Sequence, residues 1–162
     1  MENKERQPEA VRFGFGLEGK LVRDLIVADM IRNGEQPGII RPVGAERAKY
    51  FRAKLKEELA ELEQAVSLAE QIKEAADFMA AALAFHARVE ADQSDSELFG
   101  QFQKLVRERR LDMNLVEVKR LELREKKGEF DGMNLVRSVL IGPDNPRYDY
   151  YDSNPKLFPR LE

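Results

Sequence analysis

The sequence predicts an all-α protein, an antiparallel bundle of four to five helices that oligomerises, with an irregular N-terminal segment and a C-terminal arm. Three observations carry that expectation. Apolar residues recur at helical spacing along most of residues 21–127. Helix-ending and helix-starting residues, Asn33-Gly34, Ser94-Asp-Ser-Glu97 and Gly128, punctuate that pattern. Outside it the chain loses any period. The organisation that follows is an extension over 1–19, a helical domain over 20–136 and an arm over 137–162.

Residues 1–19 are polar and then Gly-rich, with a short extended piece at Val11–Phe15. A first helix is expected from Leu21, because Leu21, Leu25 and Ala28 share one stripe with Val22, Ile26 and Met30 beside it. Turn residues from Gly34 to Gly44 read as a loop. The second helix runs from about Ala45 to Val66 on the stripe Phe51, Leu55, Leu59, Leu62. The third, from about Leu68 to Val89, is apolar nearly all round, which implies burial on several sides and packing against a second subunit around Ala80–Phe85. A fourth helical stretch starts at the Ser94–Glu97 box and extends to about Lys127, interrupted near Leu111–Asn114. Met133–Ile141 alternates weakly and fits an extended segment. The last 21 residues hold four prolines and three tyrosines without a period, the pattern of an arm or disordered tail.

Composition narrows the chemistry. The 162 residues suit one domain and include no cysteine, which removes disulfides, thiolate catalysis and thiolate metal sites. A single histidine, His86, excludes chemistry needing two in one chain; on its apolar helix it reads as a packed residue. The net charge of −3 argues against coating a nucleic-acid polymer. The longest uncharged run, Phe78–Ala87, is ten residues, about half of what a membrane span needs. No apolar signal region opens the chain, so a cytoplasmic location is expected. Gly14-Phe-Gly16-Leu-Glu-Gly19 matches a dinucleotide fingerprint in letters only, because no βαβ pattern follows.

The informative signal is acidic. Glu58 and Glu61 stand three apart on the second helix, Glu74 and Asp77 three apart on the third, with twelve residues between the pairs. An antiparallel helical hairpin would bring the pairs face to face, as carboxylates do when they hold a hard divalent cation in a bundle. Relative to Leu55, Glu58 lies about 60° and Glu61 about 120° around the helix on one side, whereas Glu57 lies about 160° away toward solvent. Solvated faces, or salt bridges to Lys54, Lys56 and Lys73, would explain the same spacing. A charge asymmetry favours the cation: residues 54–77 hold three Lys against seven acids, and residues 104–127 hold nine Lys/Arg against five acids. That suits an anionic ligand bridged by cations, such as a Mg²⁺-polyphosphate.

Glu58-x-x-Glu61, twelve residues, Glu74-x-x-Asp77 resembles the metal motif of the all-α nucleoside triphosphate pyrophosphohydrolases, the MazG-like and phosphoribosyl-ATP pyrophosphohydrolase-like proteins. Lys20-Leu-Val-Arg23-Asp24, the run Lys54–Glu61 and Lys126-Lys127-Gly128-Glu129-Phe130 are similar to segments of that family over residues 20–136. Glu129 replaces a usual glycine there, and Lys127 a usual arginine. The resemblance implies Mg²⁺-dependent (or Mn²⁺-dependent) cleavage between the α and β phosphates of a nucleotide. It implies Glu58, Glu61, Glu74 and Asp77 as metal ligands, with Glu61 as the candidate catalytic base. It further implies Lys20, Arg23, Lys126 and Lys127 as phosphate-binding residues, in a homodimer or homotetramer. The rival expectation is a non-catalytic helical interaction module whose acids only form salt bridges.

Overall fold

The computed structural model describes residues 9–16 and 18–161. It corrects the all-α expectation, because the helices pack on a five-stranded antiparallel sheet. The strands are β1 (Val11–Gly14), β2 (Lys20–Val22), β3 (Gln36–Ile40), β4 (Asn134–Ile141) and β5 (Arg160–Leu161). The helices are α1 (Asp24–Arg32), α2 (Gly44–Gln64), α3 (Leu68–Arg88), α4 (Gln93–Glu108), α5 (Met113–Lys127) and the short α6 (Tyr148–Asp152).

β4 organises the sheet, and it runs through the boundary expected between 136 and 137. β3 pairs along it from Leu135 to Leu140. β2 pairs with Asn134–Val136 and β1 with Ser138–Ile141. Because β3 overlaps both registers, β1 and β2 must lie end to end on the opposite edge, and β5 extends the sheet beyond β1. Lys20–Val22, read as the start of a helix, is a strand because its amides and carbonyls complete the β4 ladder. The segment Gln36-Pro-Gly-Ile-Ile, read as a loop, is β3, with a register shift between Gly38 and Ile39 that absorbs its turn-like composition.

The Gly14–Gly19 loop joins β1 to β2. The amides of Gly14, Phe15 and Gly16 donate to the carbonyls of Pro159, Arg137 and Leu157, and that of Gly19 to Phe15. Those donors are spent inside the fold, so this glycine pattern serves strand crossing and is not a phosphate cradle.

α2 and α3 form the antiparallel hairpin expected from sequence. Ser67 caps α3 by accepting from the Glu70 amide at 3.1 Å. At the other side of the turn, the Gln71 amide nitrogen donates to the carbonyls of Ala65 and Val66, and Arg109 donates to those of Leu62 and Glu63. The free carbonyl end of α2 is thereby closed. α4 starts slightly earlier than expected: Asp92 is its cap and Asp95 closes the box. Asp95 is buried and also accepts both Arg52 nitrogens at 2.9 Å, which fastens α4 to α2. Leu21 and Leu135 of the sheet join Phe51, Leu55, Phe78 and Phe85 in the main core. On α3, Ala81, Ala82 and Phe85 are covered by the chain itself, and Leu83 faces outward. α5 carries a second outward apolar stripe, Leu115, Val118 and Leu121. Among the described residues no helix is long and apolar enough to cross a membrane.

The C-terminal segment is folded, which corrects the expectation of a loose arm. Tyr151 is buried, lies nearly parallel to Phe13 at 5.8 Å and meets Phe158 edge-on at 4.9 Å. Its hydroxyl donates to the buried Glu35 carboxylate, and Arg147 lies 3.5 Å from the same oxygen. Tyr151 and Phe158, with Tyr148 against them, therefore make a second core with Phe13, Val139 and Ile141 of the sheet and Phe15 just beyond β1. Tyr151→Ala is expected to cost about 3–5 kcal/mol, the scale of large aromatic truncations in a core. Urea unfolding measures it, and a loss under about 0.5 kcal/mol, the range of exposed sites, would show that the segment is not docked.

Candidate metal centre

The α2–α3 hairpin brings three of the four predicted acids together. One carboxylate oxygen each of Glu58, Glu61 and Glu74 lies within 4.8 Å of the others. The helix geometry explains the convergence. Glu58 follows Leu55 and precedes Leu59 and Leu62 on the buried side of α2, one turn from Glu61. Glu74 precedes the buried run Ala75–Phe78 on the facing side of α3. Glu58 is only 5% exposed, Glu74 is half-buried and Glu61 is exposed, so the cluster opens to solvent on the Glu61 side.

Asp77 stands beside this cluster with a partner of its own. Its Oδ1 accepts from Arg23 Nη2 at 2.7 Å with both side chains buried, and Lys73 lies 3.8 Å from its Oδ2. Lys54 reaches Glu58 at 3.1 Å, and Lys73 reaches Glu74 at 3.2 Å. These lysines cover one oxygen of each glutamate. The second oxygens, Oε2 of Glu58 and Oε2 of Glu74, are buried without any hydrogen-bond partner. A buried carboxylate oxygen left unpartnered is costly, and two of them beside a third carboxylate form a ready set of hard donors. The oxygen-only chemistry fits Mg²⁺ or Mn²⁺.

The remaining predicted residues divide. Lys127 lines a cleft of about 110 Å³ with Arg23, Lys54, Glu58, Asp77 and Phe130, at the buried edge of the cluster. Arg23 is 6% exposed and lies 5.7 Å from the Phe130 ring centre, so it is a wall of that cleft. Lys20 is engaged by Glu57 at 3.3 Å, which places the Glu57 side chain in an ion pair and not in open solvent. Lys126 is exposed at the end of α5 and lies outside the residues that line the cleft. Lys54 and Lys73 entered the sequence reading only as generic counterions. Their i,i+4 relations to Glu58 and Asp77 were the available signal.

The electrostatics follow from this crowding. Burial pushes the Glu58 carboxyl above its ordinary range; Lys54 pulls it back and Asp77 pushes it up again. Glu61 is raised to about 8, first by burial, then by the charge of Glu58 and its contacts with Glu74. Lys54 is held above its usual value, because Glu58 and Glu57 outweigh the burial that opposes its charge. Comparison with family models, curated proteins and solved structures yields no match to this chain.

Two outcomes are expected. Metal-free, the folded protein keeps a proton on Glu61 between the ordinary 4.5 and about 8, while the unfolded chain has released it. The folded state then binds more protons, so stability falls as pH rises through that window. The melting temperature in EDTA should decline from about pH 5 to pH 8, and Glu61→Gln should flatten the decline. A profile identical in the variant would remove Glu61 from the cluster. Asp77→Ala, in turn, leaves the Arg23 guanidinium buried and unpaired, at a cost of about 3–5 kcal/mol by chemical unfolding. An unchanged or raised stability would show that the Arg23 pair does not hold in solution.

Proposed function

We propose that the protein is a Mg²⁺-dependent nucleotide pyrophosphohydrolase, and one observation carries the reading. Glu58 and Glu74, each with one buried, unpartnered oxygen, stand with the exposed Glu61 so that one oxygen from each lies within 4.8 Å of the others, and Glu58 also lines a cleft walled by lysine and arginine. Salt bridges alone account for the lysine-facing oxygens but not for the orphaned ones. The interaction-module alternative leaves that arrangement without a purpose.

Glu58 and Glu74 would hold the cation, with Glu61 as the third, solvent-side donor. Mg²⁺ bound there supplies charge neutralisation for the phosphates and makes a water more acidic. The chain's own groups do the remaining work. Lys54 and Lys127 face the cleft and balance phosphate charge. Glu61, at the solvent side of the cluster, accepts the proton of the water that attacks the α-phosphorus. The new P–O bond forms to that water, the α–β bridging bond breaks, and a monophosphate and pyrophosphate leave. Without ligand, Arg23 pairs with Asp77 and forms a wall of the cleft. The outward stripe of α5 and Leu83 of α3 are the surfaces that would join subunits in a homo-oligomer.

Pyrophosphate release from a nucleotide panel, with Mg²⁺ and with EDTA, is the direct test. Glu58→Ala and Glu74→Ala should each lower Mg²⁺-dependent turnover at least about 100-fold, since even outer-shell partners of metal ligands are worth 10–100-fold. Glu63→Ala, on the exposed side of α2, should leave turnover unchanged. Near-normal turnover in both cluster variants would sink the reading, as would release that ignores EDTA.

A further inference from the structure

Arg23 has a second face. On the side away from the metal cleft, a cavity of about 180 Å³ lies between α3, the end of α5 and the loop from Gly128 to Asp131. Its floor is alanine: Ala80, Ala84 and Ala87 recur at helical spacing on α3, and no longer side chain from these positions fills the space. Its walls are arginine: Arg23, Arg88, Arg120 and Arg124 all line it. The acids lining it are Glu129 and Asp131; the other two guanidiniums are matched by Asp77 and Glu117, which lie outside the lining.

Each arginine has one carboxylate already. Arg124 pairs with Glu129 at 2.7 Å and Arg88 with Asp131 at 2.9 Å. Arg120 donates to Glu117 from Nε at 2.8 Å and from Nη2 at 2.5 Å, Arg88 also donates from Nη1 to the Ala84 carbonyl at 3.3 Å, and Arg23 holds Asp77. The first two pairs include strongly exposed partners: Glu129 is 42% and Asp131 65% exposed at the side chain. Such pairs contribute little and yield readily to a better anion. A guanidinium carries five donors in a planar fork, so one carboxylate does not exhaust it.

We propose that this alanine-floored, four-arginine cavity binds a phosphate-class oxyanion, and that Arg23, shared with Asp77, couples that site to the carboxylate cluster. An oxyanion in the cavity accepts from Arg88, Arg120 and the free side of Arg23, and displaces Glu129 and Asp131 toward solvent. Negative charge on that side of Arg23 weakens its hold on Asp77. Asp77 lines the same cleft as Glu58 and becomes available as a fourth oxygen donor. Anion and divalent cation therefore favour each other's binding, and by linkage the effect is reciprocal. The anion site stands on its own geometry; only the cation half rests on the metal reading above.

Isothermal titration of the full-length chain with sodium phosphate, pyrophosphate or AMP, in EDTA and at constant ionic strength, tests the cavity. Saturable binding is expected. Ala84→Leu, which fills the floor without touching a charge, and Arg120→Gln should each weaken it at least about tenfold, one well-made charged contact in affinity terms. Circular dichroism confirms that both variants fold, and Arg107→Gln, outside the cavity, is the charge control. Stronger binding of pyrophosphate than of AMP assigns the cavity to an inorganic leaving group; equal binding assigns it to a phosphate monoester. No saturable binding, or full binding by Ala84→Leu, overturns the site. Mg²⁺ titration with and without saturating phosphate then reads the coupling, where about fivefold tighter Mg²⁺ is expected. Unchanged Mg²⁺ affinity overturns the shared role of Arg23. Phosphate binding that persists in a protein without pyrophosphate release leaves the anion site standing and removes the hydrolase reading alone.

Discussion

The buried ion pair between Arg23 and Asp77 sets the relation of every other part. Arg23 directly follows β2, so its position is set by the ladder that β2 makes with β4. Asp77 sits mid-helix on α3, between Ala76 and Phe78 in the main core. Their 2.7 Å contact, with the Phe130 ring beside the guanidinium, joins sheet, helical hairpin and the loop after α5 at one point. Desolvating two charges is expensive, and a buried pair is weak evidence for stability as such. Its value is in geometry. The pair ties the sheet to the bundle at one point, and the cleft beside Glu58 and the arginine-lined cavity share Arg23 as a wall.

The helical part was legible because it obeys one local rule. The stripe on α2 and the all-round apolar character of α3 arise from residues three and four apart, which a single sequence displays. The hairpin spacing of Glu58, Glu61 and Glu74 follows from the same rule, so the cluster was legible with it. The sheet was not. β2 is three residues and β5 two, too short to show a period, and the Leu21–Leu25 spacing continues a helical stripe across a strand-to-helix junction. β3 contains Pro37 and Gly38, residues that argue for a turn; its identity depends on β4, about a hundred positions away in the chain. Pairing partners at that distance leave no local trace. β4, at eight residues, alternates weakly enough to read as extended, and β1 falls within the extended piece expected at Val11–Phe15.

The C-terminal segment misled for a different reason. Proline and tyrosine without period are the composition of a tail, but composition does not record what an aromatic ring finds to pack on. Here Phe13 on β1, Phe15 just beyond it and Phe158 downstream supply that surface, and Glu35 gives the Tyr151 hydroxyl an acceptor. Burying Glu35 at the start of β3 is tolerable because Tyr151 donates to it and Arg147 stands near enough to offset its charge. Strand β3 and the arm are therefore interdependent, and neither could be assigned from its own residues.

Carboxylate spacing said which helices meet but not how charge would be shared among them. The sequence counts four acids as equivalent; the fold separates them by what each touches. Asp77 takes an arginine because Arg23 arrives from the sheet, a partner that helical spacing cannot reveal. Glu58 and Glu74 take one lysine each from their own helices, leaving one oxygen apiece unpaired. Glu61, with no cation in contact among the described ion pairs, is pushed up to about 8, first by burial and then by the charge of Glu58. A purely structural salt-bridge network would minimise such debts. Two unpartnered oxygens and one raised carboxyl on facing helices are the state that a divalent cation would relieve, and the proposed cation site rests on that.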